Sequence, residues 1–161
     1  MPASQTMTES PDRRRAVVDG IMLGARVLVG ATLLYAGLQK IQAPFAFFES
    51  VLSYRVASAP WSLVAAVVIP WLEVVLGVLL IGGAARGAAL LLAAALLLSF
   101  VGAQIAVMVE NRSVACGCFA LSGDSTMVGW TTLTRAGLLL GICLLALVVY
   151  HVSPARQAGT T

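Results

Sequence analysis

Four stretches of this chain are each long and apolar enough to cross a bilayer: Val17 to Leu38, Trp61 to Gly82, Gly87 to Val109, and Trp130 to Tyr150. A hydrocarbon core about 30 Å thick is spanned by roughly 20 helical residues. Inside it, only helices and closed barrels satisfy every backbone N–H and C=O. Runs of this length predict helices, so the expected fold class is all-α, a four-transmembrane-helix bundle. Composition closes off a water-soluble alternative. Of the 161 residues, 60% are apolar and 11% charged, against about 45–50% and 25% in soluble domains.

The segments around these runs define the organisation. Residues 1–15 read as a polar, unpacked cytoplasmic tail, 16–152 as the membrane domain, and 153–161 as a C-terminal tail. Between the first two spans, Phe45, Phe48 and Leu52 recur at helical spacing beside Phe47, Val51 and Tyr54. That pattern predicts a short interfacial helix with its aromatics at headgroup level. Gly83-Ala84-Ala85-Arg86 has room only for a tight turn, which makes spans two and three neighbours. The connection from Glu110 to Gly129 is chemically the most varied part of the chain.

A formal charge of +3 comes from basic residues scattered between spans, which argues for topology and against nucleic-acid binding. Arg13, Arg14, Arg15, Arg86 and Arg156 fall on one side; Lys40, Arg55, Arg112 and Arg135 fall on the other. The balance favours cytoplasmic termini and places the Glu110–Gly129 connection outside the cell membrane. Arg13-Arg14-Arg15 before an apolar run imitates a secretory signal, but the run is too long and holds Arg26, so it reads as a retained span.

Two charges fall within spans. Arg26 and Glu73 would each cost about 2.5–3.5 kcal/mol at a helix centre if left alone. Counted from Val17, Arg26 lies ~13 Å deep; counted from Trp61, Glu73 lies ~18 Å deep, which is roughly 12 Å from the opposite face. The expectation is an Arg26–Glu73 ion pair that fixes helix register or marks a route for charge. A second polar layer near the outer surface comprises Lys40, Gln104, Glu110 and Arg135, with Lys40 expected to snorkel from its helix end. Gly20-x-x-x-Gly24 and Gly137-x-x-x-Gly141 suggest close packing on one face of spans one and four.

Of three cysteines, Cys143 lies among Leu and Ile as a small buried apolar residue would. Cys116 and Cys118 flank Gly117 in the polar connection. A disulfide across one residue needs α-carbons within about 6.8 Å, which a bent Cys-Gly-Cys can reach because glycine tolerates unusual backbone angles. So small a ring gains little from loop closure, and strained, exposed disulfides are the labile and catalytic ones. A nearby cation, Lys40 or Arg135, would raise the thiolate fraction. The two residues are therefore a candidate catalytic redox pair. Metal binding stays open, since two thiolates suit Cu(I); the sole histidine, His151, ends span four on the far side and cannot complete a zinc site. A structural role also stays open.

In order and spacing, several pieces resemble the MauE family of methylamine-utilisation membrane proteins and, more distantly, the DoxX-like proteins. They are Arg26; Ala36-Gly37-Leu38-Gln39-Lys40; Phe45 and Tyr54; Pro70-Trp71-Leu72-Glu73 with Gly77; Cys116-Gly117-Cys118-Phe119; and Arg135. The chain departs from the family pattern at Ala120 and Ala136. The resemblance implies a four-helix membrane protein that helps mature a disulfide-rich periplasmic methylamine dehydrogenase by thiol–disulfide chemistry with a thioredoxin-like partner. A quinone is a conceivable electron partner, with Arg26 and Glu73 on its route. Other classes remain: a non-catalytic assembly subunit or chaperone that needs neither cysteine, or a small-molecule carrier that depends on the buried charges. No phosphate loop, nucleophile with a histidine base, or dinucleotide fingerprint is present.

Overall fold

The structure is a computed structural model that describes residues 11–54, 58–110 and 129–152. The described residues form five helices: α1 (Pro11–Gln42), α2 (Pro44–Tyr54), α3 (Ala59–Gly82), α4 (Arg86–Val109) and α5 (Trp130–Val152). Among the described residues there is no strand. Four of the helices are long and apolar enough to cross a membrane, over Ala16–Gln42, Pro60–Gly82, Arg86–Val109 and Trp130–Val152. The all-α four-span bundle expected from the sequence is the fold, and α2 is the short helix expected between spans one and two. The first span is longer than Val17–Leu38 at both ends. Residues 1–10 and 153–161, and the 111–128 segment with Cys116 and Cys118, lie outside the described residues.

Side chains that water would not tolerate cover the outside. Ile21, Val67, Leu98 and Leu145, one from each of the four long helices, are each more than half exposed, as lipid-facing residues are when acyl chains are their solvent. Inside, Val29, Leu33, Leu76, Leu80, Leu90, Leu97 and Ala93 form the core, with Cys143 fully buried among them. Cys143 Sγ donates to Leu90 O at 3.4 Å, in keeping with its reading as a small core residue.

The long helices alternate in direction. α1 packs most extensively on α3 and α4 on α5, with lesser α3–α4 and α1–α5 seams closing the ring. Glycines set the α1–α3 seam. A Cβ built at Gly30 would stand 3.0 Å from Gly77 O and Ile81 Cγ1 and 3.1 Å from Leu80 Cβ. At Gly37 it would stand 2.8 Å from Pro70 O, 2.9 Å from Val74 Cγ2 and 3.0 Å from Glu73 Cβ. A step of seven residues along α1 thus matches a step of seven backward along α3, the heptad register of knobs entering holes. In lipid, where packing replaces the hydrophobic drive, such close backbone approach is what holds helices together.

The glycine motifs read from the sequence play no such part. Gly20, Gly24, Gly137 and Gly141 have open space where a Cβ would be. Small residues four apart mark a face able to pack; which face does pack is decided by the whole bundle.

The turn between α3 and α4 is as tight as its sequence requires. Gly83 adopts φ 75°, ψ 15° and its N–H donates to Leu79 O at 2.9 Å, capping α3. Ala85, at φ 46°, starts α4 in the left-handed region. At the other end of the bundle, α2 packs on α3 and more lightly on α1, and turns Phe47 inward while Phe45 stays outside.

Candidate functional site

The buried charges are not paired as the sequence arithmetic expected. Glu73 forms its ion pair with Lys40, and Arg26 donates from a terminal guanidinium nitrogen to Leu80 O at 2.9 Å. The expected Arg26–Glu73 pair is replaced by a register that separates the two. Leu80 belongs to the hole that receives Gly30, and Glu73 to the hole that receives Gly37, two turns and about 10 Å further along the seam. Counting depth from Val17 and from Trp61 assumed flush span ends. Instead α1 runs back to Pro11 and extends past the α3–α4 turn.

Lys40 reaches Glu73 for a reason built into helices. Side chains lean toward the N-terminus of their own helix, and α1 and α3 run in opposite directions. Lys40, one turn beyond Gly37, leans back toward it; Glu73, packed against Gly37, leans up to meet the ammonium. Snorkelling to the headgroups, the expectation for Lys40, gives way to this pairing: Lys40 is 4% exposed and Glu73 1%. Two rings enclose the ammonium, Phe47 of α2 at 5.2 Å and Phe100 of α4 at 4.8 Å from their centroids. Each presents the negative face that attracts a cation, most strongly where water is excluded.

Gln104, four residues after Phe100 on the same face of α4, completes the centre at 2% exposure. Lys40, Glu73 and Gln104 border a cavity of about 50 Å³ that, apart from Thr32, is otherwise lined by apolar residues, with Ala136 and Leu139 of α5 on one side and Leu33 of α1 on another; the Thr32 hydroxyl donates to Leu28 O within its own helix. Glu73 Oε2 and Gln104 Oε1 have no hydrogen-bond partner among the described residues.

The polar layer expected near the outer surface therefore divides. Lys40 and Gln104 turn into the bundle, while Glu110 and Arg135 are exposed at the ends of α4 and α5. Arg135 is adjacent to Ala136 on the cavity wall but does not itself line the cavity. Phe47, Phe100 and Gln39, the last buried at 5%, carried no functional reading from sequence. The available signal was the four-residue spacing of Phe100 and Gln104, an aromatic and an amide on one face of an otherwise aliphatic span.

The centre occupies one end of the bundle. Gln104 is about 8 Å below the last residue of α4 at 1.5 Å per residue, and Lys40 is within the last turn of α1. From that same end depart the α4 terminus and the α5 start, which the segment holding Cys116 and Cys118 connects.

A family model described as methylamine utilisation protein MauE matches residues 18–149. No curated protein and no solved structure matches the chain.

Proposed function

The chain belongs to the MauE family, a multi-pass membrane protein by its four spans, and from that premise we propose that it exchanges disulfides with an extracytoplasmic thioredoxin-like partner during maturation of a partner enzyme. Cys116 and Cys118 are the exchanging pair. In the step, a thiolate of one protein attacks the disulfide of the other and forms a mixed disulfide. The second thiol of the attacking pair then resolves it. One dithiol becomes a disulfide as the other disulfide becomes a dithiol, a two-electron transfer in which no atom is lost. The family description names methylamine utilisation, and a disulfide-rich dehydrogenase of methylamine metabolism is the kind of client such a system would serve.

The observation that supports this reading is the location of the polar centre. A membrane protein retains buried charges where they serve a site, and here Lys40, Glu73 and Gln104 gather at the bundle end from which the cysteine segment departs. The four helices give that segment two fixed anchors, Val109 and Trp130.

The test is capture of the intermediate. In cells, Cys116→Ser and Cys118→Ser are made singly and together, and disulfide-linked adducts are resolved without reductant. One single variant should accumulate a mixed disulfide with a thioredoxin-like protein, lost on reduction and absent from the double variant. A double variant that supports client maturation as well as wild type would overturn the proposal and leave a docking or assembly role.

A further inference from the structure

At the end of the bundle opposite Lys40 and Glu73, two arginines converge on the α3–α4 turn. Arg26 comes from inside the first span. It lies one turn before Gly30 on the face of α1 that packs on α3, and its side chain leans toward the N-terminus of its own helix, which brings the guanidinium to the last turn of α3. There Nη2 donates to Leu80 O at 2.9 Å. Arg86 folds back over the same turn from the start of α4, its Nε donating to Gly83 O at 3.1 Å. A Cβ built at Gly83 would stand 2.7 Å from Arg26 Nη2 and 3.6 Å from Arg86 Nε. One point on the bare side of Gly83 is thus within 3.6 Å of both guanidinium groups.

Two like charges held this close repel, most strongly where little water screens them, and Arg26 is only 8% exposed. Capping the last carbonyls of α3 offsets part of that repulsion. It uses one N–H from each guanidinium, which has five. Neither arginine is paired with a carboxylate among the described residues. The start of α4 adds to the positive field: its N-cap, Ala85, makes no side-chain cap bond, and the first N–H groups of a helix have no intrahelical acceptor.

We propose that this corner binds the phosphate of an anionic phospholipid, held between Arg26 and Arg86 at the start of α4. Its level suits a headgroup. One span ends at Gly82 and the next begins at Arg86, so the turn lies where the hydrocarbon stops. Tyr150 of α5 covers Gly87, with a ring carbon 2.8 Å from where a Cβ would be, and such aromatics belong to the membrane–water interface. A guanidinium fork matches phosphate oxygens in pairs, and basic pockets between membrane helices recognise anionic headgroups. Below the turn, Val78 and Ile81 of α3 and Leu91 of α4 are exposed. A lipid lying along them presents its phosphate at this height, which a free phosphate ion has no reason to prefer. The site makes no use of Cys116 or Cys118, so it stands or falls separately from disulfide exchange.

The experiment is native mass spectrometry of the full-length protein, released from detergent micelles that contain equal amounts of phosphatidylglycerol and phosphatidylcholine. The wild type should retain phosphatidylglycerol in preference. Arg86→Gln should lower that preference about fivefold, the worth of one basic residue against an anionic lipid surface, and Arg26→Gln should lower it similarly. Arg86 is exposed, so its variant keeps the proposal testable if Arg26→Gln does not fold. Arg13→Gln, about 20 Å further out along α1, should leave the preference unchanged. An unchanged preference in Arg86→Gln would show that the arginines only cap α3. An equal loss in Arg13→Gln would show diffuse attraction to a basic end, and displacement of the lipid by millimolar inorganic phosphate would show a site for the free ion. Any of the three would overturn the proposal.

Discussion

At the scale of single residues, the energetics of the site follow from one ion pair in a place without water. Removing either partner of a buried pair leaves an uncompensated charge and costs on the order of 3–5 kcal/mol. Lys40→Met and Glu73→Gln should each destabilise the protein by about that much in denaturant unfolding from mixed micelles. Lys40→Met combined with Glu73→Gln should cost clearly less than the sum, because the double variant buries no orphan charge. Arg26→Gln combined with Glu73→Gln should instead be additive, since Arg26 holds Leu80 O and not Glu73. Rescue in that combination would contradict the register described above. Glu73, Lys40 and Arg26 were all visible in the sequence as charges in or beside apolar runs. Their pairing was not, because depth along a helix gives no contact until the offset between helices is known.

Among the elements, the α1–α3 seam supplies that offset, and its signature was a spacing that differs from the familiar small-residue motif. Gly30 and Gly37 are seven residues apart, and Gly77 packs against Gly30 from the other side. The four-residue motifs Gly20/Gly24 and Gly137/Gly141 were the more conspicuous, yet they face outward. Gly77→Val should therefore force the seam apart, with an overpacking penalty of about 1–3 kcal/mol. Gly137→Val, into open space, should change unfolding little. Equal effects at the two positions would place the seam elsewhere. The α3–α4 turn offers an opposite change. Ala85 is held at φ 46°, where an L-residue pays roughly 1–2 kcal/mol and glycine does not. Ala85→Gly should raise the unfolding midpoint, and a drop would show that the left-handed conformation is not held there. Helix lengths and the short α2 were legible because apolar runs and aromatic spacing dictate them locally. Face selection was not, because it depends on four helices at once.

For the molecule as a whole, the bundle separates two kinds of chemistry by height. Arg26 and the α3–α4 turn lie toward one end; Lys40, Glu73, Gln104 and the anchors of the cysteine segment lie toward the other. The all-α four-span architecture and membership of the MauE family were legible in the sequence, carried by run length and by the order of pieces such as Pro70-Trp71-Leu72-Glu73 and Cys116-Gly117-Cys118. The polar centre was legible only in its parts. In the function proposed above, Cys116 and Cys118 form an exchangeable disulfide on the outer side of the membrane. Its most direct test is thiol trapping in intact cells with a membrane-impermeant reagent, with and without prior reduction, in a Cys143→Ala background. Cys116 and Cys118 should be labelled only after reduction. Labelling that requires breaking the membrane, or full labelling without reductant, would contradict it.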